Sequence, residues 1–148
     1  MAYSKLTGAV LGAVLCGALA TSVHAGEYKI VNSTIPASLT GKAGDPANGM
    51  KLAISKKKGN CLACHVMPIP KQQFHGEIGP SLNGVASYMS EGEMRLRLVD
   101  PKVLNPDTIM PSFLKVAKNR VLKKFQGKTI LKAQEVEDII AYLKTLKG

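Results

Sequence analysis

Residues 61–65 read Cys61-Leu62-Ala63-Cys64-His65, and this stretch decides which fold the rest of the chain has to build. Two thiols three residues apart lie on one turn of backbone, and an imidazole follows immediately. Each sulfur can add to one vinyl group of the same porphyrin, while His65 lies beneath the iron as its proximal ligand. The stretch therefore predicts one covalently bound haem c, attached at Cys61 and Cys64.

Two other chemistries also use closely spaced cysteines. A thioredoxin-like redox dithiol occurs within a βαβ unit, and the chain has no alternating apolar pattern long enough to predict such strands. A structural zinc site needs four soft ligands, but after His65 the sequence supplies only His75 and no further cysteine. Haem attachment is the interpretation that we favour.

Residues 1–25 have the pattern of an export signal. Lys5 precedes an apolar run from Leu6 to Ala20, which contains glycines and is shorter than the roughly 20 residues that span a membrane. The segment ends in Val23-His24-Ala25, where we expect cleavage, and Cys16 would leave with it. The sequence predicts a periplasmic protein with no membrane anchor in its mature form.

The chain is strongly basic, with 20 Lys and Arg residues against 10 Asp and Glu and a formal net charge of +10. Such a charge is frequent in proteins that bind nucleic acid. An exported chain meets little nucleic acid, however, and these lysines are not set among aromatic stacking residues. We therefore expect no nucleic-acid partner. A solvated surface and steering toward an acidic partner or an anionic substrate remain the two alternatives.

Capping signals mark two helices. Asp45 as cap and Pro46 at the first helical position begin a helix that we expect to run through three lysines and to end at Gly59. Ser90 to Glu93 form a capping box for a second helix, which ends at Asp100-Pro101.

The last helix has the clearest periodicity, because its apolar residues recur three or four positions apart and so line one face. They are Val136, Ile139, Ile140, Leu143 and Leu146. Residues 66–88 contain three prolines and three glycines, and Pro106 and Pro111 bracket Met110, a composition typical of loops. The expected fold class is all-α with long loops, in which residues 26–44 form an extended N-terminal arm and residues 45–148 one domain.

A six-coordinate haem needs a second axial ligand. The candidates after the signal are Met50, Met67, Met89, Met94, Met110 and His75. Met110 is favoured because it precedes Pro111 in a stiffened loop that could cross to the far face of the haem. Met50 and Met94 have the helical spacing of core residues, Met67 lies too close to His65, and His75 stays as the alternative ligand. A thioether opposite histidine raises the reduction potential, which suits an electron acceptor.

The stretch Gly79-Pro80-Ser81-Leu82 has two interpretations. It is an ordinary turn, or it supports the haem. A metal-bound histidine usually donates its other ring N–H to an acceptor, and the carbonyl of Pro80 is the predicted acceptor. Leu82 would then pack on the haem edge.

Taken together, these motifs resemble the class I cytochrome c family. The resemblance is carried by Cys61 to His65, Gly79 to Leu82, the Met110-Pro111 loop and a last helix containing Tyr142-Leu143. It implies a fold in which the first and last helices cross closely, with Gly49 facing Tyr142. Lys132 departs from the pattern, because Ser or Thr is favoured as the cap of the last helix.

A narrower resemblance is to SoxX, the small haem subunit of the SoxAX cytochrome of bacterial sulfur oxidation. It is carried by Gly59 to His65, Gly76 to Leu82, Asn105 to Phe113 and Glu135 to Asp138. The resemblance implies a heterodimer with a SoxA-like haem subunit, acting as an L-cysteine S-thiosulfotransferase that joins thiosulfate to a cysteine of a SoxYZ-like carrier. Sulfur chemistry is expected on the partner, so no residue of this chain is expected to be catalytic, and its haem would pass electrons to a soluble cytochrome c.

Two other function classes remain open on the sequence alone. A free-standing monohaem cytochrome c could shuttle electrons between periplasmic partners, and would be isolated as a monomer. A haem-based sensor would need an easily displaced ligand and a signalling domain, for which the sequence provides no segment.

Overall fold

The computed structural model describes residues 28–116, 123 and 126–148, so the expected signal at 1–25 lies outside the described residues. Three helices form its framework: α1 (Pro46–Ile54), α2 (Glu91–Val99) and α3 (Ala133–Leu143). Short 3-10 turns cover Cys61–Ala63 and Pro101–Val103. Extended pairing in the described residues is limited to two isolated bridges. The predicted all-α class is confirmed. No described helix has the length and apolar character to cross a membrane.

Helix α1 begins where the sequence predicts and ends earlier. The Asp45 carboxylate accepts the N–H groups of Ala47 and Asn48, which caps the first turn. The helix stops at Ile54 because the next residue is extended, and Gly59 N–H instead donates to the carbonyl of Leu52 at 3.1 Å. The three lysines therefore form a turn before Cys61 and do not extend the helix.

The crossing of α1 and α3 depends on a small residue. A Cβ on Gly49 would overlap the backbone carbonyl of Asp138 and lie 2.9 Å from Cβ of Tyr142, so the two helices touch backbone to backbone here. The Asp138 carboxylate accepts from Asp45 N–H at 2.9 Å and from Asn48 Nδ2 at 2.7 Å. These bonds align the start of α1 on α3, as the family resemblance implies.

Helix α2 packs on α3 around a buried ion pair. Arg95 Nε lies 2.8 Å from Glu137 Oε1 and Nη2 lies 3.0 Å from Oε2, a bidentate arrangement. The same groups hold the N-terminal segment, because Leu39 N–H donates to Glu137 and Arg95 Nη1 donates to the carbonyl of Ile35. The described part of the arm therefore lies against its own domain.

Helix α3 is capped without a capping side chain at Lys132. The Glu135 carboxylate accepts the N–H of Lys132 at 2.8 Å and also lies 2.7 Å from the ammonium of Lys58. Glu135 thus supplies one half of a capping box, while the Lys132 side chain has no acceptor with which to supply the other. The helix ends at Leu143, yet Leu146 beyond it is still buried and completes the apolar face predicted for α3.

Candidate haem-binding site

A cavity of about 640 Å³ opens between the loops and helices α2 and α3. Every residue that the sequence predicts as haem-binding or haem-supporting lies in its wall: Cys61, Cys64, His65, Pro80, Leu82 and Met110. The remaining wall is mainly apolar and includes Val85, Leu98, Phe113, Ile130, Ile139 and Leu143. An apolar cavity with a few convergent polar groups is the usual form of a cofactor site.

The two cysteines are presented by the 3-10 turn at Cys61–Ala63. Asn60 enters this turn with a left-handed backbone (φ 50°), which asparagine tolerates better than most residues. Both Cys64 and His65 donate their N–H to the carbonyl of Cys61, so the turn closes tightly and the imidazole follows at once. Both thiols are free in the structure, and burial raises the pKa of Cys61 to about 11.

The imidazole of His65 is oriented by a backbone carbonyl. Its Nδ1 lies 2.6 Å from the oxygen of Pro80. A carbonyl can only accept, so Nδ1 carries a proton, and in the neutral imidazole Nε2 then keeps its lone pair. This is the state that a metal-ligating histidine needs.

Gly79 is packed against the ring of His65. A Cβ on Gly79 would come within 2.7 Å of Nδ1 and 2.9 Å of Nε2, distances that no side chain can adopt. The sequence predicts this glycine only as part of a turn. In the structure, its lack of a side chain also leaves space for the imidazole of His65 beside the backbone.

Backbone hydrogen bonds join the attachment turn to the segment carrying Gly79. Gly76 N–H donates to the carbonyl of Leu62 at 2.8 Å, Gly79 N–H to Cys64 at 2.7 Å, and Leu82 N–H to Val66 at 2.9 Å. We call residues 61–66 and 76–82 the His65 wall. Its segments are held to each other through main-chain atoms.

Met110 lies on a different wall and is held differently. Its N–H donates to the hydroxyl of Thr108 at 3.2 Å. The ammonium of Lys102 reaches over the loop and donates to the carbonyls of Pro106 at 3.1 Å and Thr108 at 2.9 Å. We call residues 100–115 the Met110 wall.

The far end of the Met110 wall is tied to Asp100, a buried carboxylate. It accepts from the hydroxyl of Ser112 at 3.1 Å and from the ammonium of Lys115 at 2.6 Å. Phe113 N–H adds a backbone bond to the carbonyl of Leu98 at the end of α2. In the sequence, Asp100 is only the residue before a proline that ends a helix, and nothing there signals these contacts.

The other candidate ligands divide into two groups. Met89 and Met94 also line the cavity, whereas Met50 and Met67 do not. His75 lies outside the lining, and its Nδ1 accepts the N–H of Met67 at 3.2 Å. Its buried Nε2 has no hydrogen-bond partner among the described residues. In the described ranges no three His, Cys, Asp or Glu side chains come together as a metal cluster.

The lining has a one-sided charge. Its cationic residues are Lys56, Lys57, Lys58 and Arg97, and among the described residues no acidic side chain lines the cavity. Two aliphatic lining residues are well exposed, Ile78 at 69% and Ile109 at 77%. We call these two residues the exposed rim.

Comparison with known proteins identifies the class. Residues 46–147 match the family model for cytochrome c. The chain belongs to the cytochrome c family. A covalently bound haem c follows from this membership, and the cavity with its two thiols and oriented imidazole fits that group.

Solved structures allow a more specific comparison within the cytochrome c family. A chain in the crystal structure of SoxXA from P. pantotrophus is 33% identical, with a TM-score of 0.76, over 82% of this chain and 96% of that chain. This match is consistent with SoxX. Ferric cytochrome c-550 from Paracoccus versutus is 21% identical over 71% of this chain and 99% of that chain, but its TM-score of 0.40 is too low to support the fold. A comparison with curated protein sequences found no match to the chain.

Proposed function

We propose that this chain is the electron-accepting haem c subunit of a SoxAX-type L-cysteine S-thiosulfotransferase. In that role it pairs with a SoxA-like haem subunit in the periplasm, accepts electrons when thiosulfate is joined to a cysteine of a SoxYZ-like carrier, and passes them to a soluble cytochrome c. The observation that carries the proposal is the 33% identity to SoxXA from P. pantotrophus across 96% of that chain. The narrower motifs of the sequence agree with it.

Four residues would hold the haem. Cys61 and Cys64 would supply the thioether sulfurs, and His65 and Met110 would supply an imidazole and a thioether as ligands to the iron. The haem supplies a site that takes up and releases one electron. The support is that all four side chains line one cavity and that the Pro80 carbonyl engages Nδ1 of His65, which leaves Nε2 as the nitrogen for a metal.

The protein's own contribution is orientation and exclusion of water. Pro80 fixes the His65 tautomer through its carbonyl, and Leu82 covers part of the cavity with an apolar side chain. With the haem bound, a thioether ligand from Met110 and the apolar surrounding would both favour the ferrous state, as an electron acceptor requires. Electron exchange would take place across the exposed rim, where the cavity lining meets solvent.

The sulfur chemistry belongs on the partner for a reason of balance. Joining thiosulfate to a thiol forms one sulfur–sulfur bond, and the two reactants together lose two electrons and the thiol proton. After residue 25 this chain has no cysteine other than Cys61 and Cys64. It therefore has no thiol left to hold a sulfur intermediate, and a single haem takes the electrons one at a time.

The proposal is tested by stopped-flow reduction of the oxidised holoprotein. Thiosulfate is mixed with this protein alone, then with a SoxA-like subunit, then with a thiol-bearing carrier, and finally with both. We expect rapid appearance of the reduced haem band only in the complete mixture. Reduction of the isolated protein at the rate of the complete mixture would contradict the subunit role and favour the free-standing monohaem carrier.

Haem attachment has its own test. We expect the double variant Cys61→Ser with Cys64→Ser to lose its haem on acid-acetone extraction, because a thioether needs the sulfur. Ser87→Ala serves as the matched control outside the cavity lining and should keep the haem in the protein fraction. Haem retained by the double variant would contradict attachment at these positions.

A further inference from the structure

We propose that Asp100 is a positioning residue that keeps Met110 on the haem iron, an inference that rests on the proposed axial role of Met110. Asp100 does not line the cavity. It acts on the chain that follows the methionine, and it thereby limits how far the loop can move away.

The side-chain partners of Asp100 both follow Met110 in the chain. Its side chain is 5% exposed, and its partners Ser112 and Lys115 lie two and five positions after Met110. Phe113, between those partners, is buried and bonded to Leu98 O. The carboxylate therefore anchors the segment immediately after the ligand to the end of α2.

The buried Asp100 carboxylate favours the conformation in which Ser112 and Lys115 stay bonded to it, which we call the closed loop. Removing its partners would leave a buried charge without hydrogen bonds, and such a charge is strongly unfavourable. Lys115 supports this, since its hydrogen bond to Asp100 and the charge of that group raise the pKa of the ammonium above its ordinary value.

Lys102 restrains the other side of the methionine. It holds the carbonyls of Pro106 and Thr108, which precede Met110, while Asp100 holds the residues that follow. The ligand is thus restrained on both sides by charged groups from one short segment, Asp100 to Lys102. Neither group has to touch the haem.

The test measures how often the methionine leaves the iron. In the ferric holoprotein, imidazole competes for the position that Met110 vacates, so its apparent Kd reports the population of the open loop. We expect Asp100→Ala to bind imidazole about tenfold more tightly or better, because it loses a charge-assisted bond. Asp100→Asn, whose amide oxygen still accepts, should recover part of the difference.

Asp107→Asn is the matched control. Asp107 is an exposed aspartate of the same loop, and its side chain takes no part in the contacts of Asp100. Asp107→Asn removes one carboxylate charge from the same loop and leaves the contacts of Asp100 intact. We therefore expect the imidazole Kd of this variant to stay within about twofold of the parent value. Equal tightening in Asp107→Asn and Asp100→Asn would overturn the proposal, because charge alone would then explain both.

Two results keep this inference separate from the axial assignment. Met110→Ala should abolish the near-infrared charge-transfer band of methionine-ligated ferric haem, and a surviving band would refute the axial role itself. If that band is lost and Asp100→Ala binds imidazole like the parent, the positioning role fails alone. Should Asp100→Ala not fold, the double variant Ser112→Ala with Lys115→Met carries the same expectation and the same refutation.

Discussion

The two walls of the cavity are built from different kinds of contact. The His65 wall is held by backbone bonds between Leu62, Cys64 and Val66 and the segment from Gly76 to Leu82. The Met110 wall also has backbone bonds, such as Phe113 N–H to the carbonyl of Leu98, but charged side chains add to them, with Lys102 and Asp100 reaching the loop from the end of α2. The segments of one wall are thus joined through the main chain, and those of the other also through charged side chains.

Because the two walls are held differently, they should tolerate different substitutions. Main-chain bonds survive most side-chain changes, but they require glycine where two backbones or a ring come close. Side-chain restraints can be removed one at a time without moving the backbone, and each is worth a modest amount of free energy. We therefore expect all-or-none behaviour on the His65 side and graded behaviour on the Met110 side.

Gly79→Ala should have the largest effect. Its methyl group would meet the His65 ring within 2.9 Å, and overpacking of this kind costs roughly 1–3 kcal/mol or more because the ring is also held by Pro80. We expect a large loss of haem-loaded protein, measured as the ratio of haem absorbance to protein.

Gly148→Ala is the matched control, since its Cβ would lie 3.6 Å from the nearest atom, an ordinary contact. It should load haem normally. If Gly79→Ala loads haem as well as this control, the His65 wall is less rigid than its contacts indicate.

Met110→His tests the other wall. The loop should still deliver a ligand, so the haem stays low-spin, but its reduction potential falls because imidazole favours ferric iron more than a thioether does. The measurement is a redox titration together with the near-infrared charge-transfer band. An unchanged band would show that Met110 does not ligate the iron.

Lys102→Met should have a smaller and graded effect. The variant loses two bonds to the loop carbonyls, worth about 1 kcal/mol at this exposed position. We expect the methionine band to disappear at a lower temperature while the haem stays attached. Lys71→Met, at an exposed lysine of the loop between residues 66 and 88, is the control and should leave that temperature unchanged.

Asp138→Asn should affect the haem site least, because Asp138 lies in neither wall. Burial alone would raise the pKa of Asp138, but bonds from Asp45 N–H, Gln134 and Asn48 hold it below its ordinary value. A lowered carboxyl pKa stabilises the fold above the ordinary value of about 3.9, and that stabilisation disappears as the pH falls through the folded-state pKa.

The free energy of unfolding of Asp138→Asn should therefore lie below that of the parent at neutral pH and approach it in acid. Denaturant titrations at several pH values measure this, with the methionine band followed in parallel. A constant difference at all pH values would mean that the charge of Asp138 contributes nothing to folding.

Local signals predicted much of this protein because they act between neighbours in the chain. Asp45 and the Ser90 to Glu93 pair cap their helices as expected, since a cap satisfies the first N–H groups of its own helix. Cys61, Cys64 and His65 also line one cavity together, because they share a single turn.

Local signals did not predict where α1 ends. Three lysines after Ile54 favour a longer helix by charge and propensity, but Gly59 forms its bond to Leu52 and the chain turns. Whether the helix continues past Ile54 therefore depends on the Gly59–Leu52 bond, which forms only once the attachment turn has folded against α1. Tertiary packing overrides local propensity here.

The sequence alone establishes which thiols, imidazole and thioethers are available to a haem, and it predicts a helical framework. How those groups are held depends on the tertiary fold. The roles of Gly79, Asp100, Arg95 and Glu137 arise from contacts between residues far apart in sequence. Such contacts leave no periodicity in the chain, because their strength depends on distance and burial in the folded molecule and not on the order of residues.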